Sequence, residues 1–158
     1  MKAKRSPAGR GVLTVAAALA GMDLLVKFAL VRSLGHDSHM TDFVLFKVQA
    51  AYNTGITFSA GSWIPQPVIA LALALLVGVL GVFVVRSAAR LPALSRAGAA
   101  LLLGGGLGNL VDRLDGAGVV DYLHTGWFPT FNLADVFVVA GAGLLVLGTL
   151  RGLVREGP

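Results

Sequence analysis

Residues Val68–Val85 read VIALALALLVGVLGVFVV, eighteen positions without a charge, an amide or a proline. A helix on the surface of a water-soluble domain keeps a polar stripe opposite its buried face. This run has none, so it predicts a helix surrounded by lipid. A stretch of that length reaches across the hydrocarbon core with modest tilt.

Three further apolar segments flank it, at about 12–31, 97–114 and 133–150. The third is strictly apolar only to Leu110. It attains a spanning length if Asn109 and Asp112 belong to the helix and face protein rather than lipid. The expected fold is therefore an α-helical integral membrane protein with four transmembrane helices, forming one membrane domain over residues 1–158.

Composition agrees with this reading. Charged residues make up 13% of the chain, against roughly 25% in soluble domains, and mean hydropathy is +0.79. The chain has no cysteine, which excludes disulfide frameworks, thiolate metal sites and cysteine nucleophiles. His36, His39 and His124 are too few and too scattered to argue for zinc, and no metal or cofactor is expected.

The net charge of +5 is explained by topology rather than by nucleic acid. Lys2, Lys4, Arg5 and Arg10 precede the first helix, Arg86, Arg90 and Arg96 fill the loop between the second and third, and Arg151 and Arg155 follow the fourth. Nine of the thirteen basic residues thus fall on one side. The positive-inside rule makes that side cytoplasmic. Both termini are then inside, and the loops 32–67 and 112–132 outside. A cleavable secretory signal is the competing reading of the N-terminus, with Ala18-Leu19-Ala20 as the cleavage site. The apolar run continues to Val31, too long for such a signal.

The first outer loop carries its own structure in this reading. Val44–Tyr52 is rich in strand-forming residues, Asn53-Thr54-Gly55 is a turn signal, and Ile56-Thr57-Phe58 follows. A small extracytoplasmic β-platform is expected over about 40–64. Trp63 and Trp127 fall near helix ends, where an aromatic belt would place them.

Polar groups at membrane depth are costly, about 2.5–3.5 kcal/mol for a central charge on insertion scales. Those retained here call for an explanation. Asp23 and Lys27, four apart, share a helix face and can pair, either to fix packing or to support a site. Gly104-Gly105-Gly106-Leu107-Gly108-Asn109 lacks the strand and lysine of a phosphate loop and reads as close helix packing, with Gly104 and Gly108 at small-xxx-small spacing. Asn109 and Arg113 share a face and could hold a neighbouring loop. Asp121 sits in an apolar stretch, Val119-Val120-Asp121-Tyr122. Asp135 follows Phe131-Asn132-Leu133-Ala134 at the start of the last helix. Asp121 could be a solvated loop acid, and Asp135 the capping-box partner of Asn132. Alternatively the two form a catalytic pair, one carboxylate activating water and one carboxylic acid polarising a carbonyl.

Taken in order, Asp23-x-x-x-Lys27, Asn53-x-Gly55-x-x-Phe58, Gly104-Gly105-x-x-Gly108-Asn109-x-x-Asp112-Arg113, Val120-Asp121 and Phe131-Asn132-x-Ala134-Asp135 resemble the motifs of lipoprotein signal peptidases (signal peptidase II). The resemblance implies an aspartyl endopeptidase of the bacterial cytoplasmic membrane with its site at the outer face. It implies a dyad of Asp121 and Asp135, supported by Asp23, Lys27, Asn53, Gly55, Gly108, Asn109, Asp112, Arg113, Asn132 and Ala134. The substrate implied is a prolipoprotein carrying diacylglyceryl on its future N-terminal cysteine and cut just before that cysteine, with membrane lipids as the other partner. Inhibition by globomycin is also implied. Thr57, where a smaller residue is common, and Val136, where serine is frequent, depart from the pattern. A proton-coupled carrier and a catalytically dead scaffold are the competing readings; the carboxylates gather toward one face, which disfavours a path through the membrane.

Overall fold

The computed structural model describes residues 6–34, 41–43, 46–55 and 63–155. Among them, four helices are long and apolar enough to cross a membrane. They are α1 (Pro7–Leu34), α2 (Gln66–Ser87), α3 (Ala93–Asp112) and α4 (Leu133–Arg155). α3 begins in the basic loop and carries Asn109 and Asp112 within its last turn. It runs on into a short 3₁₀ turn, Arg113–Asp115.

α3 sits at the centre of the bundle because its small residues allow it. A Cβ on Gly104 would lie 2.7 Å from Leu19 Cβ, and one on Gly108 would lie 2.6 Å from Asp23 Oδ2, so both glycines face α1. Toward α4, a Cβ on Gly105 would meet the Ala134 carbonyl oxygen at 2.3 Å, and one on Gly98 the Leu145 nitrogen at 2.4 Å. α4 answers with Gly141 and Gly148, which approach α3 as closely. The glycine run is thus a packing surface, backbone against backbone, as in small-residue membrane interfaces. α2 is the opposite case: Leu71, Leu75, Leu76, Val79 and Phe83 are exposed, as suits side chains bathed in lipid.

Three strands form an antiparallel sheet in the order β1 (Thr41–Phe43), β2 (Phe46–Asn53), β3 (Val119–His124). The strand expected over Val44–Tyr52 is thus observed from Phe46, while 44 and 45, together with Ile56, Thr57 and Phe58, lie outside the described residues. The sequence reading left 119–124 unassigned as an apolar stretch, and it is a strand. Its partner β2 is more than sixty residues away, with Asn53 opposite Val119 and Tyr52 opposite Val120. Gly118, at φ +100°, makes this approach possible, since a Cβ there would lie 2.6 Å from the Asn53 carbonyl oxygen.

Strand alternation then sorts β3 into two faces. Val120 and Tyr122 pack on Val26, Leu30 and Val31 of α1. Val119 and Asp121 point the other way, into a cleft between the sheet, α3 and the start of α4.

Candidate functional site

The first turn of α4 organises the site. The initial N–H groups of a helix have no partner within it. Here the first two find theirs on other elements and the third on the residue before the helix. Leu133 N–H donates to the Tyr122 hydroxyl on β3 (3.2 Å), Ala134 N–H to Asp23 Oδ1 on α1 (2.9 Å), and Asp135 N–H to Asn132 Oδ1 (2.9 Å). Asn132 N–H donates in return to Asp135 Oδ2 (3.1 Å). Asn132 and Asp135 therefore do form the reciprocal capping box that their spacing suggested.

That box does not exhaust either residue. Asn132 Nδ2 donates to Asp121 Oδ1 (2.7 Å) and to Asn109 Oδ1 (3.2 Å), and Asn109 Nδ2 donates to Asp135 Oδ1 (2.9 Å). The other oxygen of Asp121 accepts from Asn53 Nδ2 (2.9 Å), and Asn53 Oδ1 accepts from Gly55 N–H (2.9 Å). Asn132 thus bridges both carboxylates, one through its side chain and one through its backbone. Asp121 is 4% exposed. Burial holds its carboxyl above the usual carboxylate range; the Asn53 amide draws it back and the negative Asp135 raises it further.

Beneath the carboxylates lies a buried cation. Lys27, 2% exposed, offers three ammonium hydrogens. It has three acceptors in reach: Asp23 Oδ2 at 2.7 Å, Asp112 Oδ2 at 2.8 Å and Asn109 Oδ1 at 3.0 Å. The Asp23 contact is close but poorly aligned, so it acts as an ion pair rather than a directed hydrogen bond. The two readings of Asp23 and Lys27 are therefore not exclusive. Lys27 ties α1 to α3 through Asp112 and Asn109, Asp23 itself accepts from the first turn of α4, and Asn109 reaches that turn at Asp135. Asp112 has a second duty, accepting from Val120 N–H (3.2 Å) and so fixing β3 next to Asp121.

Arg113, 5% exposed, holds the neighbouring loop. Its guanidinium donates to the Gly55 carbonyl (2.5 Å) and to Gln66 Oε1 (2.8 Å), and Gln66 Nε2 donates to the Thr54 carbonyl. Every residue singled out from the sequence as a candidate thus falls in one hydrogen-bonded cluster or, for Gly108, against it. The sequence reading did not include Gln66, Tyr122 or Gly118. The best available signal for Gln66 was a lone amide between Pro65 and Pro67 at the mouth of the most apolar helix.

A cavity of about 430 Å³ opens from these carboxylates, walled by Val119, Phe128, Phe131, Val136 and Val139. A second, of about 380 Å³, lies toward α2 and shares Asn109, Arg113 and Asp135 with the first. Trp127, 85% exposed, stands on the rim loop, its ring edge-on to Phe128.

Four helices long and apolar enough to span a membrane, around a polar centre opened by apolar clefts at one end, define the class: a multi-pass membrane protein. Two solved structures share the fold. Both are described as bacterial membrane enzymes solved by the in meso method: one, at 2.3 Å resolution, matches with a TM-score of 0.80 and 19% identity over 93% of this chain and 92% of that one. The other, at 1.9 Å, gives 0.61 and 20% over 93% and 94%. The sequence profile of signal peptidase (SPase) II matches residues 15–151, and the chain belongs to that family, which makes it a protease. It is 41% identical over 110 residues to the lipoprotein signal peptidases of Brucella ovis, Brucella canis and Brucella suis, covering 66% of this chain and 68% of each of those.

Proposed function

We propose that the chain is an intramembrane aspartyl endopeptidase that removes signal peptides from diacylglyceryl-modified prolipoproteins, cutting just before the lipidated cysteine. The observation that carries the mechanism is the Asn132 bridge, which brings Asp121 and Asp135 to the mouth of one cleft. Two carboxyls sharing a low-dielectric site keep one proton between them. Burial favours placing it on Asp121. Asp135, in the first turn of α4, is then the water-activating partner.

In this reading Asp135 takes a proton from water as the water oxygen attacks the scissile carbonyl carbon. The Asp121 acid donates a hydrogen bond to the carbonyl oxygen, where negative charge collects. As the tetrahedral adduct collapses, the C–N bond breaks and Asp121 gives its proton to the leaving nitrogen. The proton held by Asp135 then returns to Asp121, and the dyad is reset. Acid–base assistance of this kind contributes roughly 10²–10⁴-fold.

The charge distribution along the chain supports a location in the bacterial cytoplasmic membrane with both termini inside and the dyad toward the outer face. The substrate's acyl chains can then stay in lipid while its scissile bond meets the dyad near the surface. Apolar cleft walls suit a lipidated peptide, and globomycin should occupy the same cleft.

The test is cleavage of a diacylglyceryl-modified prolipoprotein by protein purified in detergent, beside an unlipidated substrate, for wild type, Asp121→Asn and Asp135→Asn. Wild type should cut only the lipidated substrate, and both variants should lose roughly 10²–10⁴-fold while remaining folded. Near-normal activity in either variant would remove the dyad. Absence of cleavage by wild type would remove the activity.

A further inference from the structure

Asn53 reaches Asp121 from a loop, and a loop side chain is a poor positioning device unless its backbone is held. Two consecutive carbonyls of that loop are held from outside. The Gly55 carbonyl accepts from Arg113, and the Thr54 carbonyl accepts from Gln66 Nε2, while Gln66 Oε1 accepts from Arg113 Nη1. The loop then closes on itself, since Gly55 N–H donates to Asn53 Oδ1 and so turns Asn53 Nδ2 toward Asp121 Oδ2.

The polarity of this arrangement is fixed at both ends. A guanidinium can only donate and a peptide carbonyl can only accept. The side chain between them must accept on one side and donate on the other, which a carboxamide does and a carboxylate or an aliphatic chain does not. Gln66 contributes nothing detectable to capping its own helix: Pro65 is the N-cap and no side-chain cap bond forms.

We propose that Gln66 is a positioning residue for the proteolytic reaction, acting through Arg113 and the Thr54–Gly55 backbone to hold Asn53 on Asp121. It does not itself touch Asp121. The inference rests on the aspartyl reading above.

Its test is the pH dependence of kcat on the lipidated prolipoprotein for wild type, Gln66→Glu, Gln66→Leu, Asn53→Ala and the double variant Asn53→Ala/Gln66→Leu. The Asn53 hydrogen bond lowers the Asp121 pKa. Loosening that bond raises it, so the alkaline limb, where the acid is lost, moves to higher pH. The groups facing Asp121 are Asp135 from α4, Lys27 from α1 and Arg113 from the end of α3, and none of these is substituted; because Gln66→Glu sets a second carboxylate beside Arg113, the limb in Gln66→Leu is the one that reads positioning without added charge.

Both Gln66 variants should lower kcat by about 10-fold with KM within about 3-fold, since the loss falls on the transition state. Both should also shift the limb upward, by less than Asn53→Ala does. In the Asn53→Ala background, Gln66→Leu should move the limb no further, because the two sites act in series. A limb that stays in place in Gln66→Leu, or that moves additively in the double variant, overturns the proposal.

Amide exchange at Gly55 reads the same coupling without catalysis. Gln66→Leu should speed it by about 10-fold while Asp135 N–H, capped by Asn132, is unchanged; no change at Gly55 also overturns it. An inactive wild type with the Gly55 effect intact would sink the aspartyl reading and leave the positioning contact standing.

Discussion

Gly105→Ala tests the backbone contact that sets where Asp135 stands. The added methyl would meet the Ala134 carbonyl oxygen at 2.3 Å, Val138 Cγ2 at 2.9 Å and Val138 N at 3.1 Å. Two of these three atoms are backbone, so no rotamer change relieves the clash. Restoring ordinary contact at 3.4 Å requires α4 to withdraw by about 1.1 Å at the residue preceding Asp135. Overpacking of this kind costs about 1–3 kcal/mol of stability. A misplacement of about 1 Å at a reacting group costs on the order of 10²-fold in rate. The variant should therefore fold in detergent with a lowered melting temperature and cleave lipidated prolipoprotein about 100-fold more slowly. Gly78→Ala is the control. Nothing lies within 4 Å of its added methyl, and alanine is the better helix former by about 0.8–1 kcal/mol, so it should melt no lower than wild type and keep its rate. Gly105→Ala with activity within about 3-fold of wild type would refute the view that this contact sets the carboxylate's position.

Lys27→Met should destabilise the bundle by about 3–5 kcal/mol, the usual cost of stripping a buried anion of its partner, because Asp23 and Asp112 both lose their cation; a melting temperature unchanged from wild type would contradict the three-way pairing. Burial raises the Tyr122 phenol to about 12 from an ordinary 10.0, with the Leu133 N–H partly offsetting the rise. Its folded pKa lies above the unfolded one, so the stability it contributes is full below pH 10 and is lost as pH rises through about 12. Absorbance titration of phenolate should show a step near 12 that Tyr122→Phe deletes, and a deleted step near 10 would refute the burial argument.

The four-helix class was legible because lipid removes the need for a polar face. Val68–Val85 declares itself by having none, and no tertiary partner is needed to read it. The glycine run was legible for the related reason that a lysine-free, strand-free glycine cluster has little use other than close packing. The reading of Asn132 and Asp135 was also available, since a capping box is a local pattern of spacing. What stayed hidden depends on partners remote in sequence. β3 is six residues long and pairs with a strand on the far side of two helices. No local pattern distinguishes Val119–His124 from an apolar linker. Gln66 was hidden likewise, because its meaning lies in Arg113 and Thr54. The structural readings of Asp23, Lys27 and Asp135 are compatible with the proposed functional ones, since the hydrogen bonds that hold the helices together also arrange the carboxylates.

The partners of the first turn of α4 bear on how the protein is made. Tyr122 and Asp23, which take the Leu133 and Ala134 N–H groups, belong to segments synthesised before α4, as do Asn109 and Asn53. Asp135 and Asn132 emerge after all of them. A ribosome-bound chain with three helices inserted therefore holds half of the proposed dyad and no capped turn to aim it. On the proposed mechanism, hydrolytic competence arises only when the fourth helix docks, so a nascent chain of three helices is inert toward the peptides around it.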